Sequence, residues 1–301
     1  MKILITGSGG MLGRELRGVL SKGENEIAGL DIALTDMAKP EPGVFYNVNI
    51  NDAEEIKKVF EKEKPDIVIH TAAWTDVDGS EKDPEKARKI NVEGTVNVAE
   101  SARKHSADLL YISTDFVFDG GKNAPYTELD ECAPLSVYAK TKWEGENKVR
   151  GSLENYAIVR TSWLFGPGGK NFVKAIVSRS KDHKTIQVVN DQTGSPTYTK
   201  DLADSVKKLL EKGIKGGEIY HVCNSGQCSW YEFALKIKDL VPEMKDVNIV
   251  PLSSVELGRS APRPAYSVMN TSKFREHTGM SLRNWQEALE EYLCEEGRAK
   301  R

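Results

Sequence analysis

Short apolar runs alternate along the chain with segments whose apolar residues recur every three or four positions. Lys2–Thr6 (KILIT), 27–30, 66–70 (DIVIH), 109–113 (LLYIS) and Tyr156–Thr161 (YAIVRT) read as strands of a buried kind. Between them, Met11–Leu20 places Leu12, Leu16, Val19 and Leu20 on one side of a helix. Asn51 and Asp52 can cap a second helix, in which Ile56, Val59 and Phe60 repeat at helical spacing. A long helix over 84–105 starts with proline in its first turn, and another covers 138–149. Continuous apolar strands separated by helices predict an α/β fold, a doubly wound parallel sheet of Rossmann type with helices on both faces. Ligands of such sheets sit at the carboxyl ends of the strands.

Beyond Trp163 the alternation loosens. Gly166-Pro167-Gly168-Gly169 interrupts the chain, and the pattern then predicts a helix over 172–180 and a strand over 186–189. A helix at 202–210 and a strand at 219–223 could rejoin the main sheet. A helix at 231–240, a strand at 247–251, a loop at 259–265 and a helix at 285–293 follow. This predicts a dinucleotide-binding domain from residues 1–163 plus about 198–224. A smaller α/β substrate lobe then comprises about 164–197 plus 225–301, with the ligand cleft between the two. The tail 295–301 is expected to fray.

Composition narrows the class. The 301 residues include 42 Lys+Arg and 45 Asp+Glu, a formal net charge of −3, with 39% hydrophobic residues. Such a chain can bury a real core, and it lacks the basic excess of a nucleic-acid or membrane-surface binder. No apolar run approaches the ~20 residues of a membrane span. The start, MKILITGSGG, does not have the pattern of a signal peptide. Cys132, Cys223, Cys228 and Cys294 are scattered, which argues against a disulfide framework or a zinc site and points to the cytoplasm.

Three motifs carry chemistry. Gly7, Gly10 and Gly13 form a GxxGxxG loop between the first strand and the first helix. Leu12 stands where GxGxxG would need its third glycine. Glycines there permit a tight turn and close approach to a pyrophosphate, and the helix start offers free N–H groups, so Met11 and Leu12 join the candidate cofactor contacts. Asp31, closing the second strand, can accept hydrogen bonds from ribose hydroxyls and would repel a 2′-phosphate, which favours NADH slightly over NADPH; a solvated strand-end carboxylate is the alternative. Tyr138 and Lys142 lie four residues apart on one helix face. An ammonium beside a phenol favours phenolate, so the pair suits acid–base work, although YxxxK is also a common surface pattern. Ser113 and Thr114 end a strand, where a hydroxyl can bond a substrate carbonyl.

With these in order, the sequence resembles the extended short-chain dehydrogenase/reductase superfamily, and within it the dTDP-4-dehydrorhamnose reductase family. The resemblance is carried by STDFVF (113–118), YAKTK (138–142), RTSW (160–163), NDQTGSPT (190–197) and Arg263-Pro264, spanning nearly the whole chain. It implies an NADH- or NADPH-dependent reduction of the C4 ketone of a dTDP-linked 4-keto-6-deoxyhexose. Thr114, Tyr138 and Lys142 are the catalytic set it implies. Thr114 and Tyr138 would hold the ketone oxygen, Tyr138 would supply the proton, and Lys142 would hold the nicotinamide ribose. Asn91 would position the network, unless it is a helix-packing amide. Asn49, Ile50, Ala72, Ala73 and Thr75 are expected along the cofactor. Val77, Asp78, Asp115, Phe116, Trp163, Asn171, Gln192 and Thr197 are expected at the substrate, and Arg263 at its diphosphate. The competing readings are an exposed loop for Val77 and Asp78, a core indole for Trp163 and a surface arginine for Arg263.

Some positions depart from the family pattern. Phe116 replaces a usual tyrosine and Met11 a frequent glutamine. Some members hold magnesium through carboxylates at a homodimer interface. Here Glu15 is present but Lys200 falls at the second position, so no metal is expected. The rival functions are a nucleotide-sugar epimerase or 4,6-dehydratase, and a cofactor-binding regulatory subunit of the methionine adenosyltransferase type. Phe116 stands where a dehydratase would carry glutamate after Thr-Asp.

Overall fold

β1 (Lys2–Thr6) opens the chain as a strand enclosed on both faces, with Ile3, Leu4 and Ile5 fully buried. In the computed structural model, which describes residues 1–32 and 43–299, it leads through the glycine loop into α1 (Met11–Leu20) and β2 (Glu26–Asp31). β3 (Val44–Asn47) follows, then α2 (Ala53–Glu63), whose first turn is capped by the Asp52 carboxylate accepting the Glu55 N–H. β4 (Ile67–His70), α3 (Val77–Lys82), α4 (Pro84–Arg88) and α5 (Gly94–Lys104) lead to β5 (Asp108–Thr114). α6 (Val137–Ser152), capped by Ser136, precedes β6 (Tyr156–Thr161). The later elements are β7 (Leu164–Phe165), α7 (Phe172–Asp182), β8 (Thr185–Val189), β9 (Thr193–Gly194) and β10 (Thr197–Tyr198). After them come α8 (Thr199–Lys212), β11 (Gly217–His221), β12 (Cys228–Ser229), α9 (Trp230–Leu240) and β13 (Asn248–Leu252). α10 (Ser254–Leu257), α11 (Ser272–Thr278) and α12 (Trp285–Glu295) complete the fold.

The main sheet has seven strands in the order β3-β2-β1-β4-β5-β6-β11, every pair parallel. The chain winds outward from β1 to β3, then returns to β4 and winds the other way. Between β1 and β4 the connections therefore diverge and leave a crevice at the carboxyl edge, as the doubly wound reading requires. One face is covered by α1 and α8 through Leu12, Leu16, Leu202, Val206 and Leu209; the other is covered by α2 and α5 through Ile56, Phe60, Val98 and Ala102. A separate core gathers Phe165, Ile176, Ile186, Phe233, Ile237 and Leu289 under the parallel pair β8–β13. Phe274 and Leu282, late in the chain, pack instead into the α1/α8 side of the main sheet.

Three local expectations need correction. The helix read over 84–105 is broken by one π-helical turn, Lys89–Glu93, between α4 and α5. β3 and α3 lay outside the strand and helix pattern because each buries too few apolar residues to show a period. The tail does not fray through residue 299: Arg298 and Ala299 both donate their N–H groups to the Leu293 carbonyl. Lys300 and Arg301 lie outside the described residues. No helix among the described residues is long and apolar enough to cross a membrane.

The glycine loop depends on a near-contact between backbones. A Cβ on Gly13 would lie 2.2 Å from the Gly7 carbonyl oxygen, whereas one on Gly18, further along α1, would meet nothing within 4 Å. Gly13→Ala should therefore lower the unfolding free energy by about 1–3 kcal/mol in denaturant titration. Gly18→Ala should leave it unchanged or raise it by about 0.5–1 kcal/mol. A second internal support is the ion pair of Arg160 on β6 with Glu146 on α6, at 2.9 and 2.7 Å, both side chains almost wholly enclosed. Glu146→Gln leaves a guanidinium buried without its counter-charge and should cost about 3–5 kcal/mol in the same measurement.

Candidate functional site

A cleft of about 820 Å³ runs along the carboxyl edge of the sheet. At one end lies the start of α1. Gly7 takes φ +67°, a conformation that suits glycine, and Gly10 precedes the helix with no side chain capping it. The first N–H groups of α1 thus point into the cleft without a capping side chain, the donor set that an anion would satisfy. Asp31 borders the same end, and its Oδ2 accepts the Gly9 N–H at 2.9 Å. It thereby fixes the glycine loop as well as facing the cleft.

The wall beyond is the segment after β4. His70 is fully buried, with Nδ1 2.6 Å from Thr6 Oγ1 and Nε2 3.0 Å from Thr95 Oγ1. Burial, reinforced by the Lys142 charge, lowers its pKa to about 3, so it serves as a neutral strut. Asn91, in the π-helical turn, accepts the Trp74 N–H at 2.8 Å and donates to the Trp74 carbonyl at 3.2 Å and to Thr141 at 3.0 Å. It holds the wall from behind and does not border the cleft. Ala72, Ala73, Thr75 and Val77 do, as do Asn49 and Ile50.

At the floor, α6 lies against the end of β5 and presents Tyr138 and Lys142 at adjacent turns. Lys142 Nζ donates to the Ile112 carbonyl at 2.8 Å and sits 4.1 Å from the Tyr111 ring centroid. Burial pulls its pKa down to about 7, against the opposing pull of Glu146. Tyr138 moves the other way. Burial pushes its phenol up to about 12, only partly offset by a hydrogen bond with Thr114, and the Asp115 charge adds to the rise. The lowering of Tyr138 by Lys142 expected from YxxxK is therefore absent in this arrangement, because the ammonium is turned to a β5 carbonyl. Thr114 Oγ1 donates to Asp115 Oδ1 at 3.1 Å, and Phe116 stands edge-on to Tyr138 at 6.3 Å. Ser113 Oγ and Thr161 Oγ1, both at the cleft, are buried with no hydrogen-bond partner among the described residues.

The cleft brings together Gly7, Gly10, Met11, Leu12, Gly13, Asp31, Thr114, Asp115, Phe116, Tyr138, Lys142 and Trp163. Trp163 adopts φ +47° and stacks on Trp230 of α9 with ring centroids 3.6 Å apart. Other expected contacts are placed elsewhere. Arg263 is bound to Asp78 through Nη2 at 2.7 Å and Nη1 at 3.2 Å. Burial alone would raise the Asp78 pKa, but Arg263 and the Ala261 N–H outweigh it and hold the carboxyl low. Asn171 caps α7 and donates to the Gly166 carbonyl at 2.8 Å. Gln192 donates to Ser254 Oγ at 2.7 Å, and Thr197 is fully buried in the β10–β7 pair. Lys200 is engaged by Glu291 and Glu295.

The sequence reading missed Trp230, Lys86 and Lys170, all of which border the cleft. Lys86 lies 4.6 Å over the Trp74 ring. The two lysines sit among many others in a charge-rich chain, so nothing local marked them. Trp230 is the first helical residue inside the Ser229-x-x-Glu232 capping box, which fixes the start of α9 and could have flagged it.

The profile of the RmlD substrate binding domain matches residues 1–297. The spore coat polysaccharide biosynthesis protein SpsK of Bacillus subtilis is 41% identical over 298 residues, 99% of each chain. The structure of a dTDP-4-dehydrorhamnose reductase from Clostridium acetobutylicum is 40% identical with a TM-score of 0.88, covering 99% of this chain and 100% of that one. Another from Bacillus anthracis, solved in complex with NADP, is 38% identical with a TM-score of 0.87, over 98% and 99%. A glycine-loop crevice and a polar floor at the end of β5, on a chain aligned from end to end with such proteins, leave one assignment: the chain belongs to the dTDP-4-dehydrorhamnose reductase family.

Proposed function

We propose that the chain reduces the C4 ketone of a nucleotide-linked 4-keto-6-deoxyhexose, converting dTDP-4-dehydrorhamnose to dTDP-rhamnose at the expense of NADH or NADPH. The observation that carries this is the single cleft joining an uncapped helix start to the Thr114–Tyr138–Lys142 floor. The residues fit a dinucleotide. The α1 N–H groups offer donors for a pyrophosphate, Asp31 an acceptor for ribose, and the orphaned Ser113 and Thr161 hydroxyls are polar groups a ligand would satisfy. Lys86 and Lys170 place cations beside an anionic ligand. When bound, the nicotinamide supplies the hydride that turns the ketone carbon into a carbinol.

The protein's part is to receive the charge that develops on the ketone oxygen. Thr114 and Tyr138 present hydroxyl donors from β5 and α6 into one dry corner, where a hydrogen bond to a forming alkoxide is worth more than in water. A phenol with a pKa near 12 is protonated at neutral pH, so Tyr138 Oη holds the proton that the developing alkoxide takes up. Reduction needs the acid form, so the burial that raises Tyr138 serves this direction of the reaction. Phe116 leaves no carboxyl after Asp115 for the elimination that a dehydratase performs.

Purified protein offered dTDP-, UDP- and GDP-linked 4-keto-6-deoxy sugars should oxidise stoichiometric NADH or NADPH with the dTDP substrate. Consumption of neither cofactor with any sugar would overturn the reading in favour of an epimerase or a regulatory subunit. Tyr138→Phe should lower kcat by about 10²–10⁴-fold. Cofactor affinity, followed by fluorescence titration, should change little. Near-normal turnover in that variant would remove Tyr138 as the acid.

A further inference from the structure

Two segments meet at the glycine-loop end of the cleft. One is the start of α1. The other is the loop at 166–170, whose flanks are set by Phe165, buried in the second core, and Phe172, packed against that core. The loop lies close upon α1. A Cβ on Gly169 would stand 3.1 Å from Met11 Cβ, and one on Gly168, which takes φ +75°, would stand 3.0 Å from Arg14 Cδ. Asn171 Nδ2 is 3.8 Å from Met11 Sδ and donates to the Gly166 carbonyl at 2.8 Å, which ties the end of the loop to its beginning. Glycine at 168 and 169 lets this backbone approach the helix start, and the next side chain, Lys170, borders the same cleft as Gly10, Met11 and Leu12.

Among the described residues, the cleft is lined by three lysines, Lys86, Lys142 and Lys170. Two are engaged: Lys86 lies over the Trp74 ring, and Lys142 donates to the Ile112 carbonyl. Arg14, beside the loop, spends its Nε on the Gly9 carbonyl at 2.7 Å. Lys170 is exposed and has no ion-pair or hydrogen-bond partner among the described residues. Asp31 brings a negative charge to the glycine-loop end, where its carboxylate accepts the Gly9 N–H. An anion bound there would meet repulsion from Asp31, N–H donors from α1 and one unengaged ammonium from the loop.

We propose that Lys170 is a cofactor-binding residue whose ammonium pairs with the pyrophosphate of the dinucleotide, so that the bound cofactor joins the second core to the glycine loop. The inference rests on the dinucleotide reading above. A sugar nucleotide also carries a diphosphate, but the placement favours that of the cofactor. Lys170 directly follows a residue packed on Met11, the first residue of α1, whereas the reacting sugar belongs at Thr114 and Tyr138 on β5 and α6. Lysine suits the role because it is a point charge on a flexible stem, able to settle on phosphate oxygens once the dinucleotide has entered. Before that it is solvated, so it imposes no desolvation cost on the free protein. Arg263, the cation that the sequence offers for a diphosphate, is held by Asp78 instead.

The test is binding without turnover. NADH is titrated by fluorescence into the wild type and into Lys170→Met, which keeps the stem and removes the charge. ADP-ribose, which shares the pyrophosphate but lacks the nicotinamide, is then titrated in competition with NADH. Both dissociation constants should rise about 3–10-fold in Lys170→Met. The difference should shrink as KCl is raised from about 0.05 M to about 0.5 M, because salt screens an exposed charge. Lys170→Arg should bind both ligands nearly as the wild type does. The unfolding midpoint of the ligand-free Lys170→Met protein and its affinity for dTDP should not change, since Lys170 gives up no partner in the free protein. Unchanged NADH and ADP-ribose constants, a difference that salt does not reduce, or an equal or greater loss of dTDP affinity would each overturn the assignment while leaving the reductase reading intact. A wild-type protein that binds neither NADH nor NADPH would overturn that reading, and the assignment with it.

Discussion

The site depends on a helix that buries polar groups where a helix normally buries apolar ones. On α6, Tyr138, Lys142 and Glu146 follow one another at four-residue spacing, and all three are enclosed against the ends of β5 and β6. The two that can carry charge have partners there: the Ile112 carbonyl for Lys142 and the Arg160 guanidinium for Glu146. Those partners come from the carboxyl halves of two neighbouring parallel strands. The requirement to satisfy the buried seam therefore sets how α6 lies on the sheet, and with it where the phenol and ammonium stand. The same enclosure moves the Tyr138 and Lys142 pKa values in opposite directions, each toward its neutral form.

Support from behind is of the same kind. The wall at 71–75 carries no regular structure, yet Asn91 bonds both backbone groups of Trp74, and Thr71 Oγ1 donates to the Thr6 carbonyl at 2.7 Å. The π-helical turn at Lys89–Glu93 is what brings Asn91 to this position within an otherwise α-helical run. The neutral His70 strut joins β1, β4 and α5 below that wall. Toward the second core the crevice is bordered by Trp163, stacked on Trp230 of α9.

Much of this was legible in the residues. The apolar strands, the glycine loop and the order of GxxGxxG, Ser113-Thr114 and YxxxK fix the sheet and its functional edge, because each is a local pattern with a period or spacing. What escaped is what depends on distant partners. Arg263 looks free in sequence, and only the fold shows Asp78 from α3 bound to it. Gln192 and Thr197 lie in a distinctive motif, but their side chains face Ser254 and the β10–β7 pair. Trp230 and Trp163 are 67 positions apart in the numbering and meet only because α9 folds back over β7. Nor does YxxxK spacing reveal that the ammonium turns to a carbonyl, since that choice is made by β5.

The central claim is that hydride reaches C4 of a nucleotide-linked sugar in this cleft while the floor residues protonate its oxygen. It is tested most directly by transferring deuterium from nicotinamide-4-deuterated NADH or NADPH and locating the label in the isolated product by NMR. The account predicts one deuterium at C4 of the 6-deoxysugar with one equivalent of cofactor oxidised. Product free of label at C4, or epimerised sugar with no net cofactor oxidation, would contradict it.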